Sequence, residues 1–186
     1  QYTVLASFWV GAVVGIAAFL VSLFIGEQPR ARHPLSLKGF VEVAKNRHMQ
    51  MVSLLGLLVQ LVAFSTYIGF TVNLAMRMNA TDAQLSWLNI MLVTFSMLSN
   101  YLANGTHLLK ASPERLITFG FLLSAVYCVA APLCRSMGAL FMVQALGGIS
   151  SGLTFSTLLG QCVKHIPQEQ RSAAMGLYQT IYGIGM

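Results

Sequence analysis

Five long apolar runs divide this chain, and every charged side chain lies in the gaps between them. The runs extend over Tyr2 to Ile25, Met49 to Met76, Leu85 to Ala103, Leu116 to Cys134 and Met137 to Val163, and a sixth begins near Ala173. About 20 apolar residues in a helix cross the hydrocarbon core of a bilayer. Lipid offers no hydrogen-bond partner to an open backbone, and the runs exceed the length of a barrel strand, so each is read as a helix. The expected fold is therefore an all-α polytopic membrane protein with six transmembrane helices, the last one truncated.

The gaps carry a second pattern. Arg30, Arg32, Lys38, Lys45 and Arg47 fill the first, Lys110 and Arg115 the third, and Lys164 and Arg171 the fifth. The second holds only Arg77 and the fourth only Arg135. Cytoplasmic loops carry the excess of Lys and Arg, so residues 27–48, 104–115 and 164–172 are expected on the cytoplasmic side of a plasma membrane, of the bacterial inner-membrane type. Charged residues make up 9% of the 186, against about 25% in soluble domains, which is too few to cover a water-facing surface. The net charge of +6 follows from topology. Its cations are scattered over separate loops without interleaved aromatics, which argues against nucleic acid.

Neither a metal site nor an enzyme is legible. Cys128, Cys134 and Cys162 form no C-x-x-C pair and read as small buried apolar residues. His33, His48, His107 and His165 are scattered in or beside the basic loops and read as solvated. No nucleophile–base pair falls inside a span, and no cofactor is implied. The chain opens at Gln1 directly into an apolar run and stops at Met186 inside another, so it is expected to be a piece of a longer protein.

Local punctuation supports the boundaries. Thr81-Asp82-Ala83-Gln84 is a capping box ahead of the third span, and Ser112-Pro113 supplies an N-cap and a first-turn proline ahead of the fourth. Tyr2, Trp9, Trp87 and Tyr101 lie toward span ends, where aromatic belts form. In the first gap Ser36 is placed to cap a short interfacial helix with Leu37, Phe40, Val41 and Ala44 on one side and Lys38, Lys45 and Arg47 toward water or anionic headgroups. A basic flexible tether is the alternative.

Uncharged polar residues separate the spans into two kinds. The first and fourth contain no Asn or Gln and can face lipid, whereas the second, third, fifth and sixth carry Gln60, Asn89 with Asn100, Gln144 with Gln161, and Gln179. Amides inside a bilayer need partners, so these four helices should face other helices or a wet cavity. Ser53, Gln60, Tyr67 and Thr71 fall on one helical face, as do Asn89, Ser96 and Asn100, and Gly147, Ser150, Thr154 and Gln161. The bland reading is helix–helix glue, worth about 0.6 kcal/mol per hydrogen bond. Gly11-x-x-x-Gly15 and Gly148-x-x-x-Gly152 permit close helix approach, and packing is their expected role.

The glycine-rich stretch Leu146-Gly147-Gly148-Ile149-Ser150-Ser151-Gly152, the long basic gap before Met49, and Ile166-Pro167-Gln168-Glu169-Gln170-Arg171-Ser172-Ala173-Ala174-Met175-Gly176 together resemble the major facilitator superfamily. The chain is similar to the sixth through eleventh of that family's twelve helices. Residues 1–26 then correspond to the last helix of the N-terminal half and 27–48 to the inter-half linker. Residues 49–186 correspond to an incomplete C-terminal bundle with spans at about 49–76, 85–103, 116–134, 137–163 and 173–186. The stretch Asn100 to Gly105 departs from the family's loop signature, carrying Asn in place of both Gly and Asp. In the family the seventh, eighth, tenth and eleventh helices line the cavity, the arrangement that the amides follow.

The resemblance implies a secondary transporter, two halves rocking about a site near the midplane. Its partners would be a small organic solute, drug-like or metabolic and exported from the cell, together with the bilayer and the missing N-terminal half. The candidate cavity residues are Gln60, Tyr67, Asn89, Gln144, Thr154 and Gln179. No titratable carboxylate, Lys, Arg or His lies mid-span, so coupling to protons would need a residue in the missing half. A non-transporting membrane sensor or assembly module on the same scaffold is the rival reading.

Overall fold

The computed structural model describes residues 2–24, 37–105 and 112–186; Arg30, Arg32, His33, His107 and Lys110 lie outside the described residues. Among those described, every regular element is helical. The chain divides into two units, residues 1–34 and 35–186. The first contains α1 (Tyr2–Ser22), an uninterrupted apolar helix closed by the Ser22 hydroxyl donating to the Phe19 carbonyl at 2.7 Å.

The second unit holds α2 (Leu37–Lys45), α3 (Arg47–Val62), a π-helical segment (Ala63–Phe70), α4 (Thr71–Arg77), α5 (Asp82–Gly105), α6 (Pro113–Leu133), α7 (Met137–Lys164) and α8 (Arg171–Ile184). Residues 47–77, 82–103, 113–133 and 137–164 are long and apolar enough to cross a membrane. The capping box forms reciprocally: the Thr81 amide donates to Gln84 Oε1 at 2.9 Å, and the Gln84 amide donates to Thr81 Oγ1 at 3.3 Å. Two caps escaped the sequence reading. Asn46 accepts from the His48 and Met49 amides and starts α3, and Ser136 accepts from the Ala139 amide and starts α7. Asn79, at φ 56°, turns the chain after α4, a conformation that asparagine tolerates better than most residues.

The π-helical segment is the largest local departure from expectation. The second span was read as one α-helix, yet its middle third widens between Ala63 and Phe70. Its hydroxyls bond to backbone carbonyls, and Thr71 reaches back five residues, the spacing of a π-turn, with amide and hydroxyl alike. Ser65 donates to the Leu61 carbonyl at 2.5 Å, Thr66 to the Val62 carbonyl at 2.6 Å, and Thr71 to the Thr66 carbonyl at 2.8 Å. Insertions of this kind cluster at functional positions.

Helix α7 is the hub of the second unit and packs against α5, α6, α3 and α8. Its glycines set the distance to α5: a Cβ at Gly148 would collide with the Leu92 carbonyl, and one at Gly152 with the Ser96 carbonyl and the Ser99 hydroxyl. Gly120 of α6 admits the Thr154 methyl in the same way. Three apolar clusters fill the interior. One joins Val43, Met49, Val52, Val59, Leu158, Cys162, Ile166, Ala174 and Tyr178; a middle one joins Ala63, Tyr67, Leu92, Tyr127 and Ala131; the third joins Ala75, Leu88 and Leu140.

Helix α2 forms and packs inward through Val43, which is buried in the first cluster, leaving Phe40 and Val41 of the expected apolar side 41% and 47% exposed. The reason is contact with the turn before α8, where Gly39 lies against the Gln170 side chain and Gln170 Nε2 donates to Glu42 Oε2 at 3.3 Å.

Candidate functional site

The most connected polar group in the molecule lies where the π-helical segment, α6 and α7 meet. The Tyr67 hydroxyl sits 2.7 Å from the Ser124 hydroxyl and 3.3 Å from that of Ser150, and Ser124 and Ser150 are themselves 2.7 Å apart. Ser150 also reaches the Gly120 carbonyl at 2.7 Å. Beside this triangle Tyr127 donates to Gln144 Oε1 at 2.8 Å and contacts the Thr71 hydroxyl. Gln144 Nε2 donates in turn to the Tyr67 backbone carbonyl at 3.1 Å. The rings of Tyr67 and Tyr127 pack edge to face with centroids 4.6 Å apart, a favourable aromatic geometry. Hydroxyls and one amide thus join three spans with no charge among them, and bonds of this sort hold well where water is excluded.

This arrangement revises the reading of the fourth span. Helix α6 carries no amide and was expected to face lipid, yet it contributes Ser124 and Tyr127 to the network, and Tyr127 is fully enclosed. Seven-residue steps along α6 place Gly120 and Tyr127 on one stripe, a signal outweighed by the lack of Asn and Gln. Most of the remaining α6 surface is exposed, including Phe119, Leu122, Val126 and Val129. Cys128 is exposed as well, not buried as its type suggested, while Cys162 is buried and Cys134 half-buried.

The six candidate cavity residues separate into two groups. Gln60, Tyr67, Gln144 and Thr154 are buried within the unit, whereas Asn89 and Gln179 lie exposed on α5 and α8. Thr154 turns its hydroxyl to the Ser150 carbonyl of its own helix, 2.8 Å away. Gln60 lies under the end of α8, where a Cβ at Gly185 would press on it. Only Tyr67 and Gln144 bond to each other. Of the helix-packing candidates, Gly148 and Gly152 lie under α5 and Gly11 and Gly15 lie on α1 in the other unit.

A cavity of about 780 Å³ opens between the π-helical segment with α4 and the far end of α6. Thr66, Thr71, Asn73, Arg77, Tyr127 and Pro132 are among its lining residues, and none of the six candidates is. The Thr71–Tyr127 contact forms part of its wall, so the buried network borders on it.

At the opposite end of the unit two histidines meet, His48 and His165, which the scattered spacing of the four does not foretell. The rings of His48 and His165 pack edge to face at 5.2 Å, and His48 Nε2 lies 3.2 Å from the Gln161 carbonyl in the last turns of α7. His48 thereby meets one of the carbonyls that a helix C-terminus leaves unpaired. Among the described residues no cluster of three or more His, Cys, Asp or Glu side chains stands in metal-binding geometry.

The family model described as Major Facilitator Superfamily matches residues 1–186. Comparison with curated proteins and with solved structures gives no match.

Proposed function

The chain belongs to the major facilitator superfamily, a family of multi-pass membrane transporters, and from that premise we propose that it supplies one half of the solute path of a secondary carrier. The solute is a small uncharged or weakly charged organic molecule, and the carrier exports it by alternating access. One observation carries this reading: Asn89 and Gln179 are the two candidate amides left exposed, on two different helices, α5 and α8. Inside a bilayer an exposed amide is costly unless it meets water, a polar ligand or another helix. The described spans otherwise confine their charges to their ends, so recognition on this side rests on hydrogen bonding and aromatic contact.

The basic-rich segments, including α2 and the turn between α7 and α8, are placed on the cytoplasmic side by the same charge rule. Gln60, Tyr67, Gln144 and Thr154 support the site from behind by fixing α3, the π-helical segment and α7. If the carrier is proton-coupled, its titrating group belongs to the other half.

The test compares Asn89→Leu and Gln179→Leu with the unchanged full-length chain in cells challenged with a panel of neutral and cationic aromatic dyes. Expected is loss of dye export at equal expression, with thermal stability unchanged. Unchanged export of every transported dye in both variants overturns the site assignment. An export rate unaffected by collapsing the proton gradient overturns the coupled form of the proposal.

A further inference from the structure

Two buried hydroxyls in this unit have no hydrogen-bond partner, those of Ser53 and Tyr178. Ser53 is 1% exposed and Tyr178 is not exposed at all. They belong to one place. Ser53 lies one helical turn before Gly56 on α3, and the Tyr178 ring of α8 lies over Gly56, where an added Cβ would come within 2.9 Å of its hydroxyl. A buried polar group without a partner is rare in native structures and forfeits its hydration with nothing in return. Two fall on one seam, whereas the other buried hydroxyls among the described residues are bonded.

The rest of the seam is apolar packing without a polar tie. Helix α8 lays the Tyr178 ring over Gly56 of α3, stacks Tyr178 on its own Tyr182 at 5.8 Å, and tilts Tyr182 against Phe155 of α7 at 5.5 Å. Gly56 makes room for the Tyr178 ring, and Gly185 lies close against the Leu57 carbonyl of α3. Among the described residues no side-chain hydrogen bond joins α3 to α8 across the membrane-spanning interior. Helix α7, by contrast, is held to α6 and the π-helical segment by the Tyr67–Ser124–Ser150 and Tyr127–Gln144 bonds.

We propose that α8 is the moving helix of this unit: it swings from α3 in another state of the protein and admits water, or the polar end of the solute, to Ser53 and Tyr178. The α3–α8 seam is then a second polar surface of the path, hidden in the closed form. This rests on the transport reading for its purpose, although not for its occurrence, since the seam can open in a protein that moves no solute.

The test is thiol modification in the full-length chain reconstituted in nanodiscs. Cys128, Cys134 and Cys162 are first replaced by alanine, in a background shown to melt like the parent. Ser53→Cys and, as the locked comparison, Ser150→Cys are then treated with a small water-soluble methanethiosulfonate. Expected is modification at position 53 about tenfold faster than at position 150, the ordering that unequal local opening produces. Position 53 reacting no faster than position 150 overturns the inference, even where solute export is intact. Position 53 reacting faster in a protein without export upholds the moving seam and removes the transport reading. A second measurement covers a poorly folded thiol variant: Ser53→Ala and Tyr178→Phe should each melt at or above the parent temperature and slow export. Lower melting in both overturns the inference, because it would mean that the hydroxyls are bonded in the closed form.

Discussion

Two seams of the same unit bury hydroxyls in opposite ways. Where α7 meets α6 and the π-helical segment, the hydroxyls of Tyr67, Thr71, Ser124, Tyr127 and Ser150 all find partners, and Gln144 ties the segment's backbone to α7. Where α8 meets α3, Ser53 and Tyr178 find none. Neither seam carries a charged side chain inside the spans, so polarity alone does not separate them. Satisfaction does: a bonded hydroxyl specifies one arrangement of its helices, and an orphaned one favours whatever arrangement releases it. The unit therefore combines a hydrogen-bonded frame of α6, α7 and the π-helical segment, with α5 packed on it, and an α8 that meets α3 by packing alone.

The frame breaks most completely at its glycines. Replacing Gly152 by Leu drives a side chain into the Ser96 carbonyl and the Ser99 hydroxyl, neither of which is the free end of a flexible chain. Overpacking against backbone should cost about 3 kcal/mol or more, which for a chain of this size lowers Tm by roughly 6–12 °C. A thermal melt of the purified variant checks this, and a Tm within error of the parent would show that α5 and α7 are not fixed to each other.

Gln144→Leu comes next and attacks the frame's hydrogen bonds at nearly constant volume. It strips Tyr127 of an acceptor and the Tyr67 carbonyl of an outside donor in one step. Leaving such groups unpaired costs about 2 kcal/mol, or roughly 4–8 °C in Tm. Gln60→Leu, lacking comparable partners, should fall well short of that. Equal losses from the two would dissolve the distinction between the amide that locks the frame and the amide that merely packs beneath α8.

How much of this contrast could be read in advance follows from what period and residue type encode. Apolar length and charge exclusion placed the spans within a few residues, and the Thr81–Gln84 box was visible because both partners lie in one turn. The stripe Ser53–Gln60–Tyr67–Thr71 was also visible, as one helical face. What a stripe cannot tell is which members meet a partner 57 or 83 residues away, as Tyr67 does with Ser124 and Ser150, and which meet none, as with Ser53. The π-helical segment stayed hidden for a related reason. Ser65, Thr66 and Thr71 are residue types that regular α-helices also carry, and Ser156 and Thr157 make the same back-bonds inside α7. Neighbouring turns set Val43, not Phe40, as the buried residue of α2, and only tertiary packing against Gln170 and Ile166 decides that.

The smallest effect is the most diagnostic, because it turns on sign. Tyr127→Phe and Tyr178→Phe remove the same atom from equally enclosed rings, so burial and ring packing cancel between them. At position 127 the hydroxyl gives up bonds to Gln144 and Thr71, and the variant should lose about 1 kcal/mol. At position 178 there is no bond to lose, and the trapped hydroxyl's lost hydration is recovered, so the variant should gain up to about 1 kcal/mol. In melts run side by side the two should move apart by about 2–8 °C, one below the parent and one at or above it. A fall of similar size in both would mean that Tyr178 has a partner in the resting protein, and α8 would then belong to the frame and not to the part that moves.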